Sequence, residues 1–551
     1  MADNCSVRPH TVRRPRLALG DGAFGFNPHG GVEKSASTMF PILQLAVAAL
    51  VTTTGVRTIP RRLPRGPRAL AGTIDDLSAW ISANGGGGSV KVAEVGGGLR
   101  GLVSERGASV GDVLLEVPLA RVLANRGGGD PMEAEPPEWC SALPWNVQLA
   151  LSVLSRQGTA EWEPFLATWP AGLPELPMGL EPEALAEAQD TAFETEADAS
   201  CFWLQEQYFN AFDAAEAHHA AAAGAEAFSF PPEPAFRRAM LLVWSRCLRL
   251  TAGVYGVRRL LVPLLDMANH DGDSPAALFA YSPAGAAGPC IRLYAARPLA
   301  VGEEVTITYG EHSNGHFAQY YGFVPAKNAH DAVSVSLLAL LESSGVSPPE
   351  TEWGGGGWAA ACEALQARFG LQVEGLKLGA SAPCEATVLG LRAALSGETG
   401  AAALMARLEA VDANDLDDDE DDEEDVLAEA EELARVAEVV AAACIAYEAA
   451  QPTTLEQDDA ALSAKDIPWA SRLLVEVRRS RKLLVRALEK SMRQLAAKAT
   501  VDPGGAGWHL AELMQARSTY PQLDLLPMSE LEGWASRRWD WEAGRYERSD
   551  N

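Results

Sequence analysis

The sequence predicts an α+β protein, a β-rich unit interrupted by a helical insert and followed by an all-α C-terminal domain. Three observations lead there. Short apolar runs punctuated by glycine turns fill residues 88–123 and return between 258 and 310, which is the pattern of strands. Residues of about 130–245 and those beyond 330 are instead rich in Ala and Leu, with apolar residues at helical spacing. At 551 residues the chain exceeds one ordinary core, so two or three domains are expected.

Residues 1–72 read as an address rather than a fold. Ten Lys or Arg and three acids stand there, a balance of +7 in a chain of net charge −29. The apolar run "FPILQLAVAALV" (40–51) is too short to span a bilayer and suits a signal-peptide core. The basic, acid-free "RTIPRRLPRGPRALAG" follows it. This order resembles the two-part leader of algae whose plastids lie inside extra membranes, which implies a plastid (chloroplast) protein. A disordered basic tail, or a true start at Met39, would leave the cytoplasm or nucleus as the compartment.

From 73 the β-rich unit begins. "SVKVAEV", "RGLVSER" and "VLLEVP" are strand-like, and glycines separate them. Gly96, Gly97, Gly98 and Gly101 imitate a dinucleotide-binding loop, but that motif must open a helix. Gly107 and Gly111 break any helix there, so a strand-turn-strand fits better. "ANRGGGDPMEAEPPEW" (124–139) reads as a Gly/Pro linker into the insert, where "FNAFDAAEAHH" and "AFRRAMLLVWSRCLRL" are helical. "RLLVPLLD", "IRLYAARPL" and "EEVTITYG" return to strands, closing the unit near 330.

The domain at 331–545 reads as helical. In "WASRLLVEVRRSRKLLVRALEKSMRQLAAK" (469–498), Leu473, Val477, Leu484, Leu488, Met492 and Leu495 share one face. Fifteen acids and no base lie between Glu409 and Glu432, expected as a solvated, self-repelling loop.

Beyond the leader the chain carries a charge near −36. A surface that acidic disfavours a nucleic-acid backbone and suits a basic protein segment. The eight cysteines, at 5, 140, 201, 247, 290, 362, 384 and 444, form no CxxC pair. Reduced, isolated thiols and no metal site are expected.

The chemistry lies in "SRCLRL" (245–250), "LVPLLDMANH" (261–270) and "GEEVTITYGEHSNGHFAQYYGF" (302–323). Together with "GGGLRGLVSERGASVGDVLLEVP" they resemble a SET domain, the β-fold of many S-adenosylmethionine-dependent protein methyltransferases. The helical insert, including "LPWNVQLALSVL…EWEPFLATWP", and the helical C-terminal domain resemble the Rubisco large-subunit lysine methyltransferase type. The likeness is good over about 88–330 and loose beyond. It implies a C-terminal substrate-binding domain at 331–545 and S-adenosylmethionine as cofactor. It also implies a monomer without stable membrane association in its mature form, acting on a protein lysine in a basic or extended segment.

The resemblance also implies residue roles. Tyr309 is the catalytic residue, reaching the transferring methyl, and Tyr321 lines the lysine channel beside Phe323. Asn269 and His270 hold the cofactor's amino-acid end and adenine, and Arg246 meets its carboxylate. The turn at Gly98 and Arg100 adds backbone groups, and Asp266 positions the lysine through its carbonyl. Taken singly, Tyr309 could be strand packing, Asn269-His270 a capped turn and Arg246 a surface charge. Their co-occurrence decides for the site. His312, His316 and His330 read as structural or exposed.

A lysine with a pKa of ~10.4 is neutral in only about one part in ~2,500 at pH 7, and only the neutral amine attacks. A desolvated channel disfavours the ammonium form, so no strong base is required. No cysteine-rich tail follows Tyr321, which turns the expectation toward non-histone substrates, with Rubisco large subunit and aldolase as candidates. Relatives of this branch also methylate histidine. Apolar Leu248, where a polar partner for an imidazole is expected, favours lysine. A catalytically silent SET-like scaffold that only binds a protein is the third reading.

Overall fold

The computed structural model describes residues 71–515, with breaks at 97–98, 128, 171–175, 222–228, 349–352, 354–355, 413–422 and 465, and two short strands near the C-terminus. The expected leader at 1–72 therefore lies outside the described residues, except for its last two.

Helix α1 (Ala71–Ala83) leads into β1 (Gly87–Gly88), β2 (Val90–Gly96), β3 (Leu99–Ser104), β4 (Val113–Pro118) and β5 (Leu123–Ala124). Strands β2 and β3 form an antiparallel hairpin, with Glu94 opposite Arg100 and Gly96 opposite Leu99. The glycine-rich stretch is thus a strand-turn-strand and opens no helix. Gly96 has φ +119°, a conformation that favours glycine.

The segment expected as a linker is pinned to the β-unit. The main chain of Asn125 pairs with that of Arg259, and its side-chain Oδ1 accepts from Arg259 N at 2.8 Å. Buried Arg258 donates to Asp130 O (2.9 Å) and Glu135 (3.2 Å). Met132 and Ala134 are buried beside them. Composition alone does not reveal a loop held by a cation from a distant strand.

The insert contains α2 (Trp145–Arg156), α3 (Thr191–Ala221) and α4 (Glu233–Arg246). Helix α4 stops at Arg246, before the expected end of its apolar run, because Leu248 and Leu250 alternate inward as β6 (Leu248–Thr251). Strand β6 pairs with β7 (Val257–Leu261), which also takes β5. Strands β8 (Ala277–Gly285) and β9 (Gly288–Ala295) complete a four-stranded sheet in the order β1-β4-β9-β8.

"EEVTITYG" is extended but forms no regular ladder. Instead it is threaded between two partners. Ser104 N donates to Glu303 O (2.8 Å) and Val305 N to Leu102 O (2.7 Å) on one side. On the other, Ile307 exchanges bonds with Asn269 O and Asp271 N at 2.9 Å each. Helix α5 (Asn314–Tyr321) follows, capped by Ser313, whose hydroxyl accepts from His316 N.

From 332 to 515 the described residues are helical apart from the ribbon β10 (Ala332–Val335) against β11 (Leu376–Gly379). The helices are α6 (Leu337–Ser343), α7 (Gly357–Phe369), α8 (Glu385–Leu395), α9 (Gly397–Asp412), α10 (Glu423–Ala449), α11 (Leu455–Leu462), α12 (Trp469–Val501) and α13 (Pro503–Gln515). All six residues of the stripe expected on α12 are buried. Arg537–Asp540 and Arg545–Arg548 pair as a separate two-stranded ribbon.

The acidic run is not wholly a loop. Residues 409–412 end α9, 413–422 lie outside the described residues, and 423–432 open α10. Acids are favourable at a helix N-terminus, and Arg392 pairs with Glu432 (2.8 Å) and Glu429 (3.4 Å). No described helix is long and apolar enough to cross a membrane. Among the described residues every cysteine is a free thiol, and no cluster could hold a metal ion. Cys5 lies outside them.

Candidate active site

The threaded segment 303–310 delivers Tyr309 to a buried cluster with residues of the 268–270 and 321–323 stretches. Its main-chain N donates to His270 Nδ1 at 3.1 Å, and its hydroxyl donates to Ala268 O at 2.7 Å. The ring stacks on Tyr321, centroids 5.1 Å apart at 23°, with the edge of Phe323 at 6.5 Å. Both Tyr-Gly pairs then have a clear logic. Gly310 and Gly322 take φ of +119° and +77°, which only glycine adopts without strain. The preceding tyrosines are thereby turned toward one another. Gly322 also ends α5, its N donating to Phe317 O at 2.9 Å.

Burial holds the hydroxyls of Tyr309 and Tyr321 well above the usual phenol range, so both remain protonated donors. Burial lowers His270 to about 4. With Nδ1 accepting from Tyr309 N, the neutral ring carries its proton on Nε2.

Asn269 sits over the β2–β3 hairpin. Its Nδ2 donates to Arg100 O (3.0 Å) and to Glu304 Oε1 (2.8 Å). Both amide hydrogens are spent, so what the side chain still offers is the acceptor capacity of its carbonyl oxygen. Gly101 makes this approach possible, since a Cβ there would stand 2.7 Å from both Asn269 Nδ2 and Glu304 Oε1. Arg100 is exposed and its carbonyl accepts from Asn269 Nδ2, whereas Gly98 lies outside the described residues.

Arg246, at the end of α4, grips Asp266. Its Nη1 donates to Asp266 O (3.2 Å) and Oδ2 (3.0 Å), and Trp169 Nε1 donates to the same Oδ2 at 3.2 Å. The Asp266 carboxylate is fully buried, and burial raises its carboxyl pKa against the opposing pull of Arg246. Oδ1 has no partner among the described residues. The Asp266 carbonyl, expected to face the lysine, is thus engaged by Arg246, which keeps 18% of its side chain exposed. Leu264, just upstream and buried, holds φ +68°. Such a conformation in a non-glycine residue is strained and persists only because the surrounding structure holds it.

Leu248 is buried in β6 opposite Leu260. Neighbouring Cys247 and Arg259 lie close enough to influence the Tyr321 hydroxyl. The structure therefore gathers Tyr309, Tyr321, Phe323 and His270 into one aromatic wall, with Asn269 and the Arg246–Asp266 pair beside it. Sequence reasoning missed Glu304, Gly101, Trp169 and the Ala268 carbonyl. Gly101, a glycine inside a strand, was a readable sign of close backbone approach, but nothing local marks Trp169. His312 and His316, read as structural or exposed, stack on each other at 4.1 Å, and His316 adjoins the ring of Tyr321 at 6.2 Å.

No family model and no curated protein matches the sequence. Solved structures do match the fold. The SET domain of LSMT bound to lysine and AdoHcy aligns with a TM-score of 0.55 at 17% identity, over 78% of this chain and 93% of that one. Rubisco LSMT bound to AdoMet aligns at 0.53 and 15% identity over 78% and 93%. Rubisco LSMT bound to sinefungin and monomethyllysine aligns at 0.52 and 16% identity over the same shares. The chain has the LSMT-like SET-domain fold, α+β with helical regions.

Proposed function

We propose that this protein is an S-adenosylmethionine-dependent protein-lysine N-methyltransferase acting on a non-histone protein. The observation that carries the reading is the Tyr309 hydroxyl fixed on Ala268 O at 2.7 Å, against a wall of Tyr321 and Phe323. The similar structures hold AdoMet or AdoHcy, and lysine or methyl-lysine, which supports the same pairing here.

The residues present fit that cofactor. Asn269 offers a carbonyl oxygen to an ammonium, the Arg246 guanidinium suits a carboxylate, and Gly101 leaves room for Asn269 to be held there. When bound, the cofactor supplies an electrophilic methyl group. The protein's own residues do the rest. The aromatic wall excludes water and so favours the neutral amine. The Tyr309 hydroxyl and the carbonyl of Ala268 orient the reacting groups, and in-line alignment supplies most of the rate. Leu248 gives an imidazole no polar partner, which favours lysine over histidine.

The acidic body suits a lysine-rich partner. Rubisco large subunit and aldolase are substrate candidates, and the leader makes the plastid the proposed compartment. The test incubates wild type and Tyr309→Phe with methyl-labelled S-adenosylmethionine and soluble extract of the source cell, split into plastid and cytosolic fractions. A band labelled by wild type alone, yielding methyl-lysine on acid hydrolysis, is the expected result. Methyl-histidine would move the assignment to the second residue type. Absence of cofactor binding would leave only a protein-binding scaffold.

A further inference from the structure

Arg481 lies in the middle of α12, outside the SET fold, with 8% of its side chain exposed. Its Nε donates to Asp190 Oδ2 and its Nη1 to Ala332 O, both at 2.9 Å, and Asp331 Oδ1 is 3.9 Å from Nη1. Each carboxylate also caps a helix. Asp190 Oδ1 accepts from Phe193 N at 3.0 Å in the first turn of α3. Asp331 Oδ1 accepts at 2.8 Å from the N of Asn314, the first residue of α5. Gly315 lets the guanidinium rest against that turn, since a Cβ there would be 2.6 Å from Nη2. Farther along α5, Gln319 Nε2 donates to Phe193 O at 3.2 Å.

Arg481, from α12, therefore braces the start of the helix that ends at Tyr321. Burying three charges carries a desolvation cost that apolar packing would avoid. The planar fork holds Asp190 Oδ2 and Ala332 O at fixed angles with Asp331 at ion-pair distance, a geometry that the single ammonium of a lysine reproduces only in part. The neighbouring contacts differ. Arg478 binds Asp458 (2.7 Å) and Glu187 O (2.9 Å), and Lys482 binds Asp458 (2.6 Å). These tie α12 to α11 and to the insert, and none of them reaches α5.

We infer that Arg481 is a positioning residue through which the C-terminal domain sets α5, and with it the place of Tyr321 and Phe323 in the channel. The inference rests on the lysine-channel reading above. It makes the rate of methyl transfer depend on a residue that touches neither cofactor nor lysine.

The test compares the full-length wild type with Arg481→Met, Arg481→Lys and Arg478→Met. Three readouts are S-adenosylmethionine affinity by calorimetry, kcat and KM for methyl transfer to poly-L-lysine, and amide exchange across 312–323. Arg481→Met is expected to lower kcat roughly ten- to hundredfold, to speed exchange in α5, and to leave cofactor affinity unchanged. Arg481→Lys should recover part of the rate, and Arg478→Met should lower Tm while sparing kcat and α5 exchange. A wild-type kcat in Arg481→Met would overturn the inference. So would equal losses in Arg481→Met and Arg478→Met, which would indicate general destabilisation. If the wild type binds no cofactor, the proposed function fails, and exchange still decides the coupling. Faster exchange confined to α5 upholds it, and uniform or unchanged exchange overturns it.

Discussion

The rings of Tyr309 and Tyr321 stack with centroids 5.1 Å apart at 23°, each followed by a glycine of positive φ. Two residues from opposite ends of a turn and helix thus share one surface, and the Tyr309 hydroxyl points from it to Ala268 O. Tyr309→Phe keeps the stack and deletes only that hydrogen bond. Methyl transfer is expected to fall about a hundredfold or more, the scale of losing an oriented donor. Stability should change by only about 1 kcal/mol, and cofactor affinity should hold. Single-turnover kinetics alongside thermal melts check this.

Gly101→Ala places a methyl group 2.7 Å from both Asn269 Nδ2 and Glu304 Oε1. Strand β3 is held on both sides by backbone bonds, so the Asn269–Glu304 side-chain pair must yield. Cofactor affinity is expected to drop by ~1–3 kcal/mol, the cost of an unsatisfied polar pair. Titration calorimetry reads it, and an unchanged Kd would remove Asn269 from the cofactor site.

Arg246→Met strands the fully buried carboxylate of Asp266. Breaking such a pair costs on the order of 3–5 kcal/mol. Adding Asp266→Asn removes the stranded charge, so the double variant should regain most of that stability. It should not regain cofactor affinity, because the guanidinium is still missing. Recovery of both would mean that Arg246 acts only as a prop for Asp266.

Burial raises Glu311 from 4.5 to about 7. Between those values the unfolded chain releases a proton that the folded chain keeps, so rising pH costs stability. The cost reaches on the order of 3 kcal/mol at pH 8, at about 1.4 kcal/mol per pH unit of displacement. Glu311→Gln should therefore be more stable than wild type at pH 8 and equal to it near pH 4. His270 and His312, both lowered from 6.5 to about 4, act in the opposite sense and lose stability as pH falls through that window. Present in both proteins, they cancel in the difference. Urea melts at the two pH values decide the point.

Much of this protein was legible in its sequence. Glycine turns, strand alternation and the α12 stripe depend on neighbours a few residues away, and local sterics and burial periodicity set them. The resemblance carried by the motifs from "SRCLRL" to "YYGF" implied that Tyr309, Tyr321, Asn269, His270, Arg246 and Asp266 belong together. Tertiary structure decided the rest. Glu304 holds Asn269, Trp169 braces Asp266, and Arg481 reaches across to α5 through Asp331. It also turned the expected linker into a pinned loop and half of the acidic run into helix. These contacts join residues tens to hundreds of positions apart, and a polar partner at that range leaves no periodic trace. Burial makes each pairing obligatory only once the chain has closed around it.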